Sequence, residues 1–187
     1  MNTATAIEYN VLRHGVVGDG KTLNTGSLQA AIDELHASGG GQLYFPAGRY
    51  LTGSLQLKSN VVLYLEKEAV LLGSTSPYDY PGFSTEKELK VNDDHFDQAL
   101  IYAEGAEHIG IRGDGCIDGQ GGELALTIDS LHHTGELVDK HYNTYRKRPN
   151  TRPKLLFIRR CRNVEIRNAR LRSSAAWGLS FSLCSDL

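Results

Sequence analysis

The sequence predicts an all-β protein built as a β-solenoid, and three observations support this fold class. Short strands of four or five residues, separated by turns of two to four residues, follow one another between residues 42 and 72. Glycine is abundant, with 20 residues against a single methionine, as a protein rich in tight turns requires. A similar segment recurs along the chain, and such repetition is typical of a solenoid.

The recurring segment is a polar residue followed by alternating aliphatic positions. Its copies start at Val61, Ile109 and Val164, so they lie 48 and 55 residues apart. Because solenoid repeats often take about 20–30 residues, we expect each interval to hold two turns of the solenoid. Val164 and Ile166 should point into the core, since alternate side chains of a strand face opposite ways.

One helix and two interruptions complete the organisation. Leu28, Ala31, Ile32 and Leu35 form one apolar stripe, which predicts an amphipathic helix over 27–37 that caps the N-terminal end of the solenoid. Glycines at 39–41 end this helix. We predict one β-helix domain over 1–187, with insert loops at about 78–98 and 121–153 that leave from one face.

Composition excludes several classes of protein. The net charge of −2 argues against a nucleic-acid binder that relies on overall positive charge. No apolar run approaches the roughly 20 residues of a membrane span, so no membrane partner is predicted. Residues 1–10 carry no visible signal peptide, which predicts a cytoplasmic location. The alternative is a secreted or periplasmic protein whose signal has been removed.

Three widely spaced cysteines predict free thiols rather than a disulfide framework. Cys116, Cys161 and Cys184 are odd in number and form no CxxC motif, so they also predict no zinc site. No cofactor is predicted. The segment 9–12 should begin the chain as a strand, and Gly18, Asp19 and Gly20 predict a tight turn after it.

Five stretches together resemble glycoside hydrolase family 28, the polygalacturonase and rhamnogalacturonase group. They are residues 11–22, 39–53, 57–61, 72–74 and 113–121. The resemblance implies a right-handed, pectin-lyase-like parallel β-helix and an enzyme that hydrolyses galacturonosyl bonds of pectic polysaccharides with inversion. Inversion needs carboxyl groups about 6.5–9.5 Å apart. The implied partner is an acidic polysaccharide or oligogalacturonide.

The catalytic signatures of that family are missing from the chain. The family carries Asn-Thr-Asp, Asp-Asp, Gly-His-Gly and Arg-Ile-Lys motifs, and none occurs in the expected context. We therefore assign no catalytic residue here, expect the catalytic groups beyond Leu187, and expect the 187 residues alone to be inactive. A stack cut at this point exposes its last coil, which predicts self-association or poor solubility around Leu179, Phe181 and Leu183.

The second insert supplies the candidate substrate-binding residues. Arginine binds carboxylates in a bidentate manner, and aromatic faces can stack on sugar rings. Trp177 resembles the aromatic residue that family members set beside the substrate cleft, with core packing as the alternative. The complete candidate set is Tyr142, Tyr145, Arg146, Arg148 and Trp177. The alternative for the insert residues is a solvated basic loop.

Two metal sites are weaker alternatives, and no metal is predicted. The carboxylates of Asp93, Asp94 and Asp97 are of a type that suits Ca²⁺, but a solvated loop explains them. His132, His133 and His141 lack partners at a known ligand spacing. Two other functions remain open: a non-catalytic carbohydrate-binding or assembly β-helix, and a pectate-lyase-like enzyme that uses Ca²⁺ and an arginine base.

Overall fold

A computed structural model describes residues 8–82, 98–137 and 152–187 of the chain. Its strands are β1 (Glu8–Asn10), β2 (Gly41–Phe45), β3 (Gly48–Thr52), β4 (Leu55–Gln56), β5 (Val61–Leu65), β6 (Ala69–Gly73), β7 (Ala99–Glu104), β8 (Glu107–Arg112), β9 (Cys116–Asp118), β10 (Lys154–Arg159), β11 (Arg162–Arg167), β12 (Arg170–Arg172) and β13 (Leu179–Ser182). Its helices are α1 (Thr25–Ala37), α2 (Gly121–His133) and two short 3₁₀ segments, Val11–His14 and Pro77–Asp79.

The strands form three parallel sheets, which confirms the predicted parallel β-helix. Sheet 1 has the order β1-β2-β5-β8-β11, sheet 2 the order β3-β6-β9-β12, and sheet 3 the order β4-β7-β10-β13. From β2 onward the chain visits sheets 1, 2 and 3 in turn and then repeats. Each circuit is one coil, and each coil lies directly on the one before it.

The register corrects the predicted size of the repeat. Val62 pairs with Gly110, 48 positions further on, and Ile109 pairs with Val164, 55 positions further on. Each interval therefore holds one turn of the solenoid rather than two. The error arose because segments 74–98 and 119–153 were counted as turns of the solenoid, whereas none of their described residues belongs to a strand of the three sheets.

The core is a set of apolar columns that run across the coils. Leu43 pairs with Leu63, Leu63 with Ile111, and Ile111 with Ile166, and the first three of these residues are fully buried. Val164 is also buried and Ile166 is half-buried, so the predicted inward positions are confirmed. Burial of such side chains is the main stabilising contribution to the stack.

Helix α1 caps the first coil, as predicted, but begins at Thr25, two residues earlier than the apolar stripe indicated. Its buried residues are Leu28, Ala31, Ile32 and Leu35. The Thr25 hydroxyl accepts a hydrogen bond from the Gly53 amide at 2.7 Å and so ties the helix to the corner after β3. Asn24 does not cap the helix, because its side chain binds the backbone of the preceding loop at Val17 and Thr22.

The predicted turn around Asp19 is present, and the carboxylate organises it. Asp19 accepts hydrogen bonds from the amides of Lys21 and Thr22 and from the Thr22 hydroxyl. These bonds lower the pKa of Asp19 to about 2. The strand predicted at the start of the chain is shorter than expected: it ends at Asn10, and Val11–His14 form a 3₁₀ turn instead.

From β2 onward, the two long connections both run from sheet 2 to sheet 3. The other two corners need only two to four residues per passage, whereas β6–β7 and β9–β10 are joined by segments 74–98 and 119–153. Helix α2, which the sequence analysis missed, opens the second segment and buries Leu124 and Ile128. Within the described ranges, neither helix is long and apolar enough to cross a membrane.

Candidate carbohydrate-binding face on sheet 3

Both faces of sheet 3 are buried in the central coils. Ala99–Ala103 of β7 and all six residues of β10 are buried, whereas β11 in sheet 1 shows exposed positions on its outer face. A strand buried on both faces has a covered outer surface. The outer face of sheet 3 is therefore covered, beside the corner at which segments 74–98 and 119–153 begin.

Six side chains on and beside sheet 3 form what we call the sheet 3 cluster. They combine aromatic rings with paired and buried charges: Tyr102, Glu104, Lys154, Phe157, Arg159 and Trp177. The Tyr102 and Phe157 rings lie 5.7 Å apart between centroids in a tilted arrangement. The Lys154 ammonium lies 4.2 Å from the centroid of Phe157 and 5.9 Å from that of Trp177.

The charges of the cluster are held in fixed positions. Arg159 binds Glu104 at 2.8 Å, and the Tyr102 hydroxyl donates a hydrogen bond to the second oxygen of the same carboxylate. Lys154 is only 5% exposed, and Arg159 only 4%. Cations at such depth interact with nearby anions more strongly than surface cations do, since less water screens them.

Trp177 stands at the rim of the cluster. Its carbonyl accepts a hydrogen bond from the Leu155 amide at 3.0 Å and from the Ser174 hydroxyl at 2.9 Å, so its backbone is anchored to β10. Its side chain is 58% exposed. The core-packing alternative for Trp177 is therefore wrong, whereas its role in substrate binding stays a prediction.

Of the other candidate site and metal-binding residues, only His132 and His133 belong to the described part of the chain. Tyr142, Tyr145, Arg146 and Arg148 lie outside the described residues, as do Asp93, Asp94, Asp97 and His141. His132 and His133 lie on the last turn of α2, near Asp129. Among the described residues, no group of three or more His, Cys, Asp or Glu side chains is clustered closely enough to hold a metal ion.

Two buried or half-buried carboxylates near sheet 3 are engaged with arginines. Glu104 binds Arg159, and Asp118 binds Arg172 at 2.8 Å while it accepts the Gln120 amide at 3.1 Å. A carboxylate held by a cation in this way fixes the position of neighbouring strands.

The sequence analysis missed most of the sheet 3 cluster. Lys154 opens the run Lys154–Arg159, in which the next four residues are apolar. A lysine at the head of a buried strand is unusual, because lysine is rarely buried without a partner. This position at the start of an apolar run is the sequence signal that could have identified Lys154 as a site residue. Tyr102 and Glu104 carried no comparable signal, because only strand pairing brings them beside β10.

Comparisons with known proteins place the chain in a family. Residues 9–70 match the family model described as rhamnogalacturonase A/epimerase, pectate lyase-like. The crystal structure of a provisionally assigned glycosyl hydrolase from Parabacteroides merdae ATCC 43184 is 32% identical, with a TM-score of 0.80, and the match covers 96% of this chain and 73% of that one. The family 28 exopolygalacturonase of Yersinia enterocolitica is 28% identical with a TM-score of 0.72. The chain belongs to glycoside hydrolase family 28.

Two of these matches cover most of this chain but only a part of the relative. The Yersinia match covers 92% of this family 28 chain but 36% of the exopolygalacturonase. A Vitis vinifera protein named "Probable polygalacturonase" is 36% identical over 175 residues, which is 88% of this chain and 32% of that protein. This family 28 chain thus spans about a third of the length of these two relatives.

Proposed function

We propose that this family 28 chain forms the first coils, and one wall of the substrate groove, of an enzyme that hydrolyses galacturonosyl bonds in pectic polysaccharide with inversion. The observation that carries the proposal is the sheet 3 cluster, in which the buried Lys154 ammonium lies 4.2 Å from the ring centroid of Phe157 and 5.9 Å from that of Trp177. The homology to polygalacturonases supports the same substrate class.

The cluster matches the chemistry of a uronic acid. Each galacturonate unit carries one carboxylate, and a cation at low exposure gives that carboxylate a charge-assisted partner. The exposed ring of Trp177 offers an apolar face for the sugar ring. Together these groups would favour acidic sugars over neutral ones, and the four insert residues Tyr142, Tyr145, Arg146 and Arg148 would extend the same contact.

We further propose that the catalytic carboxylates of the whole protein lie in coils beyond residue 187. The sequence lacks the family's catalytic signatures, and the carboxylates of Glu104 and Asp118 are already bound to arginines. The 187-residue chain alone should then bind its substrate without turning it over. A cytoplasmic location stays a prediction, which cell fractionation would test.

The activity test measures reducing-sugar release from polygalacturonate and from rhamnogalacturonan, with EDTA and Ca²⁺ arms. We expect no turnover by the 187-residue chain, and hydrolysis with inverted products by the whole protein. Turnover by the chain alone would show that its catalytic acids are present, and Asp93, Asp94, Asp129 and Asp139 would be substituted next. Unsaturated products that require Ca²⁺ would support a lyase instead.

Binding can be followed separately, because Trp177 is the only tryptophan in the chain. We expect oligogalacturonate to change its fluorescence, and a neutral galacto-oligosaccharide of equal length to leave it unchanged. Lys154→Met should raise Kd about tenfold, since a hydrogen bond to a charged group contributes about 1.5–3 kcal/mol. Arg170→Met is the matched control, because Arg170 is an exposed cation on sheet 2. Equal Kd values for the two variants would contradict the role of Lys154.

A further inference from the structure

Two of the three cysteines lie opposite each other on neighbouring coils. Along β10 and β13, Arg159 pairs with Ser182, and the same offset of 23 positions continues to the bridge between Arg162 and Ser185. The offset places Cys161 opposite Cys184, at the corner where sheet 3 passes to sheet 1. The Ser185 amide donates a hydrogen bond to the Cys161 carbonyl at 3.1 Å, which holds the two coils together at this point.

The two thiols have the same local geometry. The Cys161 sulfur donates to the carbonyl of Arg159 at 3.1 Å, two residues before it, and the Cys184 sulfur lies 3.4 Å from the carbonyl of Ser182, also two residues before it. The Cys184 sulfur additionally lies 3.4 Å from the carbonyl of Ile158, on the coil of Cys161. Both side chains therefore leave their coils in the same direction, and the sulfur of Cys184 reaches the neighbouring coil.

The spacing between coils suits a covalent bond. Neighbouring strands lie about 4.7–4.9 Å apart, and the Cα atoms of a disulfide are usually about 4.4–6.8 Å apart. Exposure differs between the two thiols, since Cys161 is buried and Cys184 is half-exposed. Cys116 lies on β9 in sheet 2, away from this corner.

We propose that Cys161 and Cys184 form a reversible disulfide that fastens β13 to β10. The oxidant would be a small-molecule disulfide. The half-exposed Cys184 thiolate attacks one of its sulfurs, forms a mixed disulfide and releases one small thiol. The Cys161 thiolate then attacks the sulfur of Cys184 and displaces the second small thiol. Two protein thiols and one small disulfide thus become one protein disulfide and two small thiols, so electrons and protons balance.

The disulfide would close a loop that contains Trp177 and the whole corner segment between β12 and β13. Because such a bond restricts the unfolded chain, oxidation should raise the melting temperature by roughly 5–10 °C. Burial raises the pKa of the Cys161 thiol, so the second exchange step should be slow at neutral pH and faster in mild alkali.

The test incubates the chain with oxidised or reduced glutathione and maps the unreduced peptides by mass spectrometry. We expect one intrachain link between the peptides of Cys161 and Cys184, with loss of two hydrogen atoms per chain. Cys116→Ser should retain the link and the higher melting temperature. Adding Cys161→Ser or Cys184→Ser to it should abolish both effects.

The peptide map of the unsubstituted chain keeps the test decisive even if a variant fails to fold. Two thiols that stay free after prolonged oxidation at pH 8–9 would overturn the proposal. A link that involves Cys116, or one formed only between chains, would overturn it as well.

Discussion

At Gly113 the absence of a side chain decides whether two coils can meet. Its φ is +100°, and a Cβ atom placed there would lie 2.1 Å from the carbonyl oxygen of Leu65 on the preceding coil. Gly105, at another turn of the same coil, also has a positive φ of +62°, but no atom lies within 4 Å of its added Cβ. Comparing substitutions at the two positions therefore separates the free-energy cost of the backbone conformation from the cost of a steric clash between coils.

We predict that Gly113→Ala lowers the free energy of unfolding by about 3 kcal/mol or more, because backbone strain and a clash with backbone atoms add together. Gly105→Ala should cost only about 1–2 kcal/mol, which is the cost of a left-handed conformation for an L-residue. Urea unfolding followed by circular dichroism measures both. Equal losses would show that the coil can shift to accommodate a methyl group at Gly113.

At the scale of elements, three acid–arginine pairs join neighbouring coils, one on each sheet. Arg159 lies beside Glu104 on sheet 3, Arg162 beside Glu107 on sheet 1, and Arg172 beside Asp118 on sheet 2. In each pair the strand register and the ion pair join the same two residues. A slip by one position would break all three pairs, so together they specify the register after the long segment 119–153.

The three pairs should contribute unequally to stability. We predict that Arg159→Met costs about 2–3 kcal/mol, because the arginine is buried and its loss leaves the carboxylate of Glu104 partly buried without its main cation. Arg162→Met should cost less than about 1 kcal/mol, since its pair with Glu107 is largely exposed and screened by water. Thermal and urea unfolding provide the comparison, and a double-mutant cycle with Glu104→Gln isolates the pair. A cost at Arg162 equal to that at Arg159 would contradict this ranking.

At the scale of the whole molecule, the stack ends in a partly apolar surface. Among the described strands, β13 pairs only with β10. Leu179, Phe181 and Leu183 on and beside it are exposed, with Leu183 at 74%. An edge strand with unpaired backbone groups and exposed apolar side chains is a template for association.

We predict that the 187-residue chain self-associates through β13 as its concentration rises, because association pairs the open edge and covers these side chains. Light scattering at several concentrations measures the effect. Leu183→Lys should shift the equilibrium toward monomer. Leu126→Lys, a change at an exposed leucine on α2, serves as control and should leave the equilibrium unchanged. A monodisperse monomer at high concentration in the unsubstituted chain would count against the prediction.

Most of the fold follows from local patterns, because a β-helix repeats the same short strands and turns. The alternation at Val61, Ile109 and Val164 located the three stacked strands of sheet 1, with the offsets of 48 and 55 that the register shows. The apolar stripe of α1 likewise predicted its buried face. These features depend on residues close in sequence, so sequence patterns reveal them.

The number of residues in each coil and the composition of the candidate site were decided by tertiary structure. No local sequence pattern shows that segments 74–98 and 119–153 both join sheet 2 to sheet 3. Because they do, each interval between the recurring segments holds one turn of the solenoid instead of two. The sheet 3 cluster joins Tyr102 on β7, Lys154 on β10 and Trp177 in the turn before β13. Lys154 and Trp177 are 23 positions apart, and Tyr102 and Phe157 are 55 apart. Such side chains meet because parallel stacking brings equal positions of successive coils together. The sequence determines which residues can face inward, whereas only the packing of coil on coil determines which of them meet.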